Sequence, residues 1–246
     1  MSNRVNVLDK GYIILHETMG DDRTVANAAR VSYDKRTEEL SEKDERLIKF
    51  LAREGHTSPF RHATLQFEIY MPLMVARQLW KYVVGSDHTM DAWNESSRRY
   101  ITEEPTFYIP QAGEWRSAPA DSKQGSGDLL PVEQGELATR DLESYIATGE
   151  MYYKRAIDSG VAPEQARLFL PAYGMYVRSY WTASLQSVAH FLNQRLEADA
   201  QAEIQVYAEA VRELAIEKFP VSLAELLGEE KAPEKECIDY IQQSYE

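Results

Sequence analysis

The chain has 246 residues, is 43% hydrophobic and 27% charged, and sets 27 Lys+Arg against 40 Asp+Glu for a formal charge of −13. This is a globular composition with material for a sizeable core. The acidity argues against a general nucleic-acid binder or a protein held to anionic lipid by charge.

In chain order, residues 4–16 read as a strand pair turning at Asp9-Lys10-Gly11. Asp21-Asp22 start a helix through Ala26 and Ala29 to near Ser32. Ser41 with Asp44 three residues on is a capping box, with Asp in place of the usual Glu. It opens a helix that carries Leu47, Phe50 and Leu51 on one face and ends at Gly55. Residues 64–70 alternate Leu65, Phe67 and Ile69 with polar neighbours, the pattern of a half-buried strand. Pro72 reads as a first-turn proline of a helix bearing Met74, Val75, Leu79, Val83 and Val84. Residues 111–135, rich in Gly, Ser, Pro and Ala, read as a flexible insertion within a single domain spanning 1–246. A long helix is expected over about 136–159, a strand or early helix over 174–181, and helices over 184–195 and 199–218. Residues 228–246 read as a solvated acidic tail.

No run approaches the roughly 18 apolar residues of a membrane helix, and the first residues lack the order of a secretory signal. The single cysteine, Cys237, forbids an internal disulfide and a multi-cysteine metal site. A soluble, cytoplasmic protein is expected. Acidic neighbours make Cys237 a poor nucleophile. His56 and His62 have no carboxylate at ligand spacing, so no metal is expected. No Gly-rich nucleotide loop occurs.

The chemistry concentrates in residues 56–100 and 164–205. Ser96, Ser97, Arg98 and Arg99 offer hydroxyls and guanidinium forks that suit a phosphate monoester. Gln78 and Asn94 can read base edges, and Trp80, Tyr82, Trp93 and Tyr100 can stack on a planar ring. Adjacent arginines are more often a solvated surface pair, and helical aromatics more often core. Arg167 and Arg195 stand as lone cations among apolar neighbours, where a guanidinium needs an anion or a route to solvent.

Six strings in order are specific enough to name a family. AARVSY (28–33), HTSPFRHA (56–63), ARQLWK (76–81), NESSRRY (94–100), ARLFLP (166–171), and FLNQR with AQAEI (191–204) resemble the flavin-dependent thymidylate synthases, the type without a cysteine nucleophile. The resemblance covers nearly all of 4–227 except 111–135. It implies an α+β fold, a single mixed domain with a twisted antiparallel-rich sheet and several long helices, assembled as a homotetramer with shared active sites. It also implies a methyltransferase-type flavoenzyme that makes dTMP from dUMP. The carbon donor is methylenetetrahydrofolate, and the hydride comes from FAD reduced by NADPH. The dUMP set implied is Gln78, Leu79, Trp80, Lys81, Glu95, Ser96, Ser97, Arg98, Arg99, Arg167 and Arg195, with Arg195 as the catalytic group that polarises the uracil. The FAD set is Ser58, Lys81, Tyr82, Val83, Glu95, Ser184, Leu185, Gln186 and His190, and His56 falls near flavin and folate. Neither nucleic acid nor membrane is implied as a partner.

The chain departs from the family in places. Lys81-Tyr82-Val83 replaces the family's Arg-His-Arg, and thirteen residues instead of seven separate it from Ser97. The six extra residues fall near 85–90, with His88 the candidate replacement contact. Ser184, Gln186 and His190 replace pocket arginine and asparagine, and Arg61 stands where many members have Glu. These changes point to a diverged branch of a viral or phage kind. They also leave open a protein that binds dUMP but has lost flavin chemistry. Residues 61–100 hold five Lys/Arg against four Asp/Glu, and 160–195 three against one, so the acidity lies elsewhere on the chain. A small anionic nucleotide held where these two segments meet is the expected ligand.

Overall fold

The alternating segments pair into one sheet. In the computed structural model, which describes residues 3–84, 91–101, 104–120 and 125–228, β1 (Arg4–Val7) and β2 (Gly11–Met19) form a hairpin with Val7 opposite Gly11. A Cβ on Gly11 would collide with the Tyr207 hydroxyl, so only glycine lets the hairpin close against the helix behind it. β3 (Thr64–Pro72), β4 (Ala92–Glu95) and β5 (Tyr176–Ser184) complete the order β1-β2-β3-β5-β4, with every neighbouring pair antiparallel. Leu65, Phe67, Ile69, Met71, Trp181 and Ala183 point to one face and are buried under helices. Tyr12, His16, Glu68, Arg178 and Tyr180 share the other face, and this alternation is the period of two seen in the sequence. The α+β class with a single antiparallel sheet is therefore observed.

Pro72 differs from expectation. It is the last residue of β3, opposite Tyr176, and α3 (Leu73–Val84) starts one residue later, with the Leu73 amide on the Met175 carbonyl at 2.9 Å. Lacking an N–H, Pro72 ends the ladder rather than opening the helix.

α1 (Asp22–Arg30) is capped by Asp21, whose carboxylate accepts the Thr24 amide at 2.9 Å. Asp22 is buried and accepts the Val221 and Ser222 amides, both at 2.8 Å, so it caps α8 (Pro220–Leu227) from the far end of the chain. α2 (Glu42–Arg53) has the expected capping box: Asp44 Oδ2 accepts the Ser41 amide at 2.9 Å and its hydroxyl at 2.5 Å. Asp44 Oδ1 takes Arg30 Nη2 at 2.6 Å.

Burial pushes the Asp44 carboxyl up, but the Ser41 hydroxyl and amide and the Arg30 guanidinium outweigh it and hold it below the usual carboxylate range. A depressed carboxyl stabilises the fold above its unfolded value, and that contribution is lost as pH falls through the lower folded value. Asp44→Asn is therefore expected to cost about 2 kcal/mol at neutral pH. The gap from wild type should close only in acid, below the ordinary carboxylate range. Urea unfolding at several pH values checks this; an equal gap at every pH would contradict it.

Residues 111–135 carry more structure than their composition predicts. Ala112–Glu114 form a 3-10 turn, and the buried Glu114 takes the Gln111 amide at 2.6 Å. Trp115 Nε1 donates to Thr139 at 2.9 Å, and Arg116 bridges Leu129. α4 (Val132–Asp158) starts earlier than expected. At Gly135 a Cβ would run into the Ala112 carbonyl, so this glycine lets the turn dock on the helix. The acidic tail from 229 on, with Cys237, and residues 85–90, with His88, lie outside the described residues.

α5 (Pro163–Ala166) is short, and the 174–181 ambiguity resolves as β5, held between β3 and β4. α6 (Leu185–Arg195) and α7 (Ala202–Ile216) pack behind the sheet with α3. Val75, Leu79, Val188, Phe191, Tyr207 and Val211 make the core there. Among the described residues no helix is long and apolar enough to cross a membrane.

Candidate active site

α3 and α6 pack together, and each sends side chains to one shared point. Gln78 and Tyr82 are four apart on α3 and so lie on one face. Arg195 is the last residue of α6. Its Nη1 donates to Gln78 Oε1 at 3.4 Å, and its Cζ stands 5.3 Å from the centre of the Tyr82 ring. The Tyr82 ring is tilted 58° against exposed His190 at 5.7 Å and meets Phe191 edge-on at 5.5 Å. Arg195 Nε and Gln186 Oε1 are buried with no hydrogen-bond partner among the described residues. The two lie at opposite ends of α6, a guanidinium donor at its last turn and an amide acceptor at its first, and each suits a group of opposite hydrogen-bonding kind.

A second group follows β4. Ser96 and Arg178 exchange bonds, the Ser96 amide donating to the Arg178 carbonyl at 2.8 Å and the Arg178 amide to Ser96 Oγ at 2.9 Å. Ser97 Oγ accepts Arg99 Nε at 3.2 Å. Arg98 lies 5.8 Å from the Tyr153 ring, its Nε buried and without a partner among the described residues. Arg98 borders two cavities, one of about 340 Å3 with Ser96, Tyr70 and Arg178, the other of about 350 Å3 with Arg99 and Tyr153. Burial pushes the Glu95 carboxyl up, and the Arg77 charge opposes it. Arg167 is exposed, and among the described residues its Nε donates to the Glu164 carbonyl at 3.1 Å. No hydrogen bond or ion pair among the described residues joins these three groups.

The remaining expected contacts are scattered. Leu79 and Leu185 have no exposed surface, so as folded they cannot touch a ligand; they seat α3 and α6 on the sheet. Ser184 is buried as the N-cap of α6, accepting the Ser187 amide at 3.2 Å. Trp80 and Lys81 are exposed, and Val83 is half-buried against the core. Ser58 opens a 3-10 turn, and His56 is exposed, stacked on Phe50 at 6.1 Å. Among the described residues no group of three His, Cys, Asp or Glu could hold a metal.

Sequence reasoning missed Gln201, Glu203 and Arg116. Gln78 Nε2 donates to Gln201 Oε1 at 2.5 Å, Gln201 Nε2 donates to Glu203 at 2.7 Å, and Glu203 pairs with Arg116. These last three also line a cavity of about 500 Å3 with Met74 and Trp115. Glu203 lies within one of the six strings, but a carboxylate set between Ala202 and Ile204 on the buried first turn of α7 was the signal overlooked.

Comparison with known proteins gives the chain's family and fold. The sequence family described as thymidylate synthase complementing protein matches residues 14–221. A flavin-dependent thymidylate synthase of Kosmotoga olearia is 38% identical over 224 residues, covering 91% of this chain and 93% of its own. One from Thermus thermophilus is 38% identical over 222 residues, covering 89% and 77%. Among solved structures, the UMP/dUMP methylase PolB of Streptomyces cacaoi, bound with 5-Br dUMP, superposes with a TM-score of 0.76. It is 26% identical, covering 90% of this chain and 96% of that one.

Proposed function

The chain belongs to the flavin-dependent thymidylate synthase family, and from that membership we infer that it converts dUMP to dTMP as a methyltransferase-type flavoenzyme. The cofactor is FAD, with NADPH and methylenetetrahydrofolate as co-substrates. The observation that carries the reading is the gathering of Gln78, Tyr82 and His190 around a partly buried Arg195.

Gln78 and Tyr82 hold the plane of the Arg195 guanidinium. Such a fork can stabilise negative charge as it develops at N3 and O4 of the uracil. Ser96, Ser97, Arg98 and Arg99 supply the donors for the phosphate, and the unpartnered Arg98 Nε favours an anion there. The chain's one cysteine, Cys237, sits among acidic neighbours that disfavour a thiolate, so the uracil is activated electrostatically.

The residues at the start of α6 fit a flavin. Gln186 offers a buried acceptor suited to an imide N–H, and His190 presents an exposed ring beside Tyr82. With FAD held there, the group would supply the hydride that completes the methyl group, with NADPH as the reductant. Tyr82 occupies the middle of the altered triplet yet still faces Arg195, which favours retained flavin chemistry over a dUMP-binding protein that has lost it. Ser58 and His56 are assigned to the flavin and folate side.

We place the enzyme in the cytoplasm as a homotetramer. Among the described residues no bond joins Arg167 or the Ser96–Arg99 group to Arg195 within one chain, and sharing between subunits would bring such groups together. Large exposed apolar side chains, Tyr33, Tyr100, Leu168 and Tyr173 among them, offer surface for that assembly. Protein loaded with FAD and given dUMP, methylenetetrahydrofolate and NADPH is expected to form dTMP, with a light-scattering mass of four chains. Absence of dTMP would overturn the reaction; an active monomer would overturn the shared site.

A further inference from the structure

Arg195 is aimed from behind. We propose that Glu203 sets the direction of a two-amide relay, Gln201 then Gln78, that presents a carbonyl to Arg195; this rests on the role given to Arg195 above. Glu203 is buried, one oxygen on Arg116 and the other accepting Gln201 Nε2 at 2.7 Å. A carboxylate paired with a guanidinium only accepts. It therefore fixes the Gln201 amide with its N–H2 toward Glu203 and its carbonyl toward Gln78. Gln78 donates to that carbonyl at 2.5 Å and has its own oxygen left for Arg195 Nη1, at 3.4 Å.

Each glutamine amide is nearly symmetrical in shape, so either could sit in the reverse sense. Reversal at Gln78 would set an N–H2 against a guanidinium, which has only donors. The acceptor-only carboxylate at one end and the donor-only guanidinium at the other select a single sense for both amides. The relay spans α7, α3 and α6, so the three helices must keep register for it to close. Glu203 and Gln201 are thus positioning residues, since neither needs to touch dUMP.

Glu203→Gln keeps shape but offers both donor and acceptor, which frees both amides to reverse. Gln201→Met breaks the relay while leaving the Glu203–Arg116 pair whole, and it serves if the first variant folds poorly. For both, kcat for dTMP formation is expected to fall about tenfold or more. FAD uptake should be unchanged and KM for dUMP should stay within about threefold, a split that loss of structure alone would not give. A kcat within about twofold of wild type in folded variants would overturn the relay, and so would kcat, KM and FAD uptake falling together. Wild-type protein that forms no dTMP would instead overturn the function on which the relay rests.

Discussion

Arg195→Ala is expected to abolish turnover while leaving the protein folded. The guanidinium is the fixed positive charge where α3 and α6 converge, held by Gln78 at 3.4 Å and lying 5.3 Å from the Tyr82 ring. Its Nε has no partner among the described residues, so a donor is already spent on burial and available to a substrate. Removing a preorganised donor from a charge-developing site costs about 3 kcal/mol or more, which is over about a hundredfold in rate. Little structural loss should follow, because Gln78 keeps its bond to Gln201. Arg195→Lys should recover only part of the rate, since an ammonium cannot present a planar fork. Single-turnover dTMP formation, with FAD uptake followed in the same sample, checks both variants. A rate near wild type in Arg195→Ala would remove this residue from the chemistry.

Trp181→Ala is expected to carry the largest stability loss, about 3–5 kcal/mol. Trp181 has no exposed surface in the middle of β5, stacks on Phe67 of β3 at 5.7 Å and meets Phe191 of α6 edge-on at 5.6 Å. Phe191 in turn meets Tyr82, so one aromatic column runs from the sheet to the residues holding Arg195. The truncation removes the column's centre and leaves a cavity that neighbours on two strands and a helix cannot close together. Trp181→Phe should cost less than Trp181→Ala, because most of the volume stays and the indole N–H has no partner among the described residues to lose. Urea unfolding measures both. A loss below about 1 kcal/mol for the alanine variant would show that the core can collapse around the site.

What the sequence disclosed was mostly local. The Ser41–Asp44 box and the alternation of Leu65, Phe67 and Ile69 announced α2 and β3, because a cap and a period of two are written in neighbouring residues. Residues 174–181 stayed ambiguous, since strand character there comes from pairing with β3 and β4 rather than from their own pattern. Asp22 capping α8 was invisible, as its partners lie 199 and 200 residues away. The same holds for the site. Gln78 and Arg195 stood out in the strings shared with a known family. The bonds joining Gln78 to Gln201 and Arg116 to Glu203 cross 123 and 87 residues; the first needs α3 packed on α7, and the second needs the 111–135 segment to reach α7.

Whether flavin and dUMP meet in one reaction on this chain is read most directly from the absorbance of the FAD-loaded protein. The protein is bleached with NADPH without oxygen and then mixed with dUMP and methylenetetrahydrofolate. The yellow absorbance is expected to return as dTMP appears, one dTMP for each flavin reoxidised. A protein that takes up no FAD at micromolar concentration, or one whose flavin stays bleached with no dTMP formed, would contradict it.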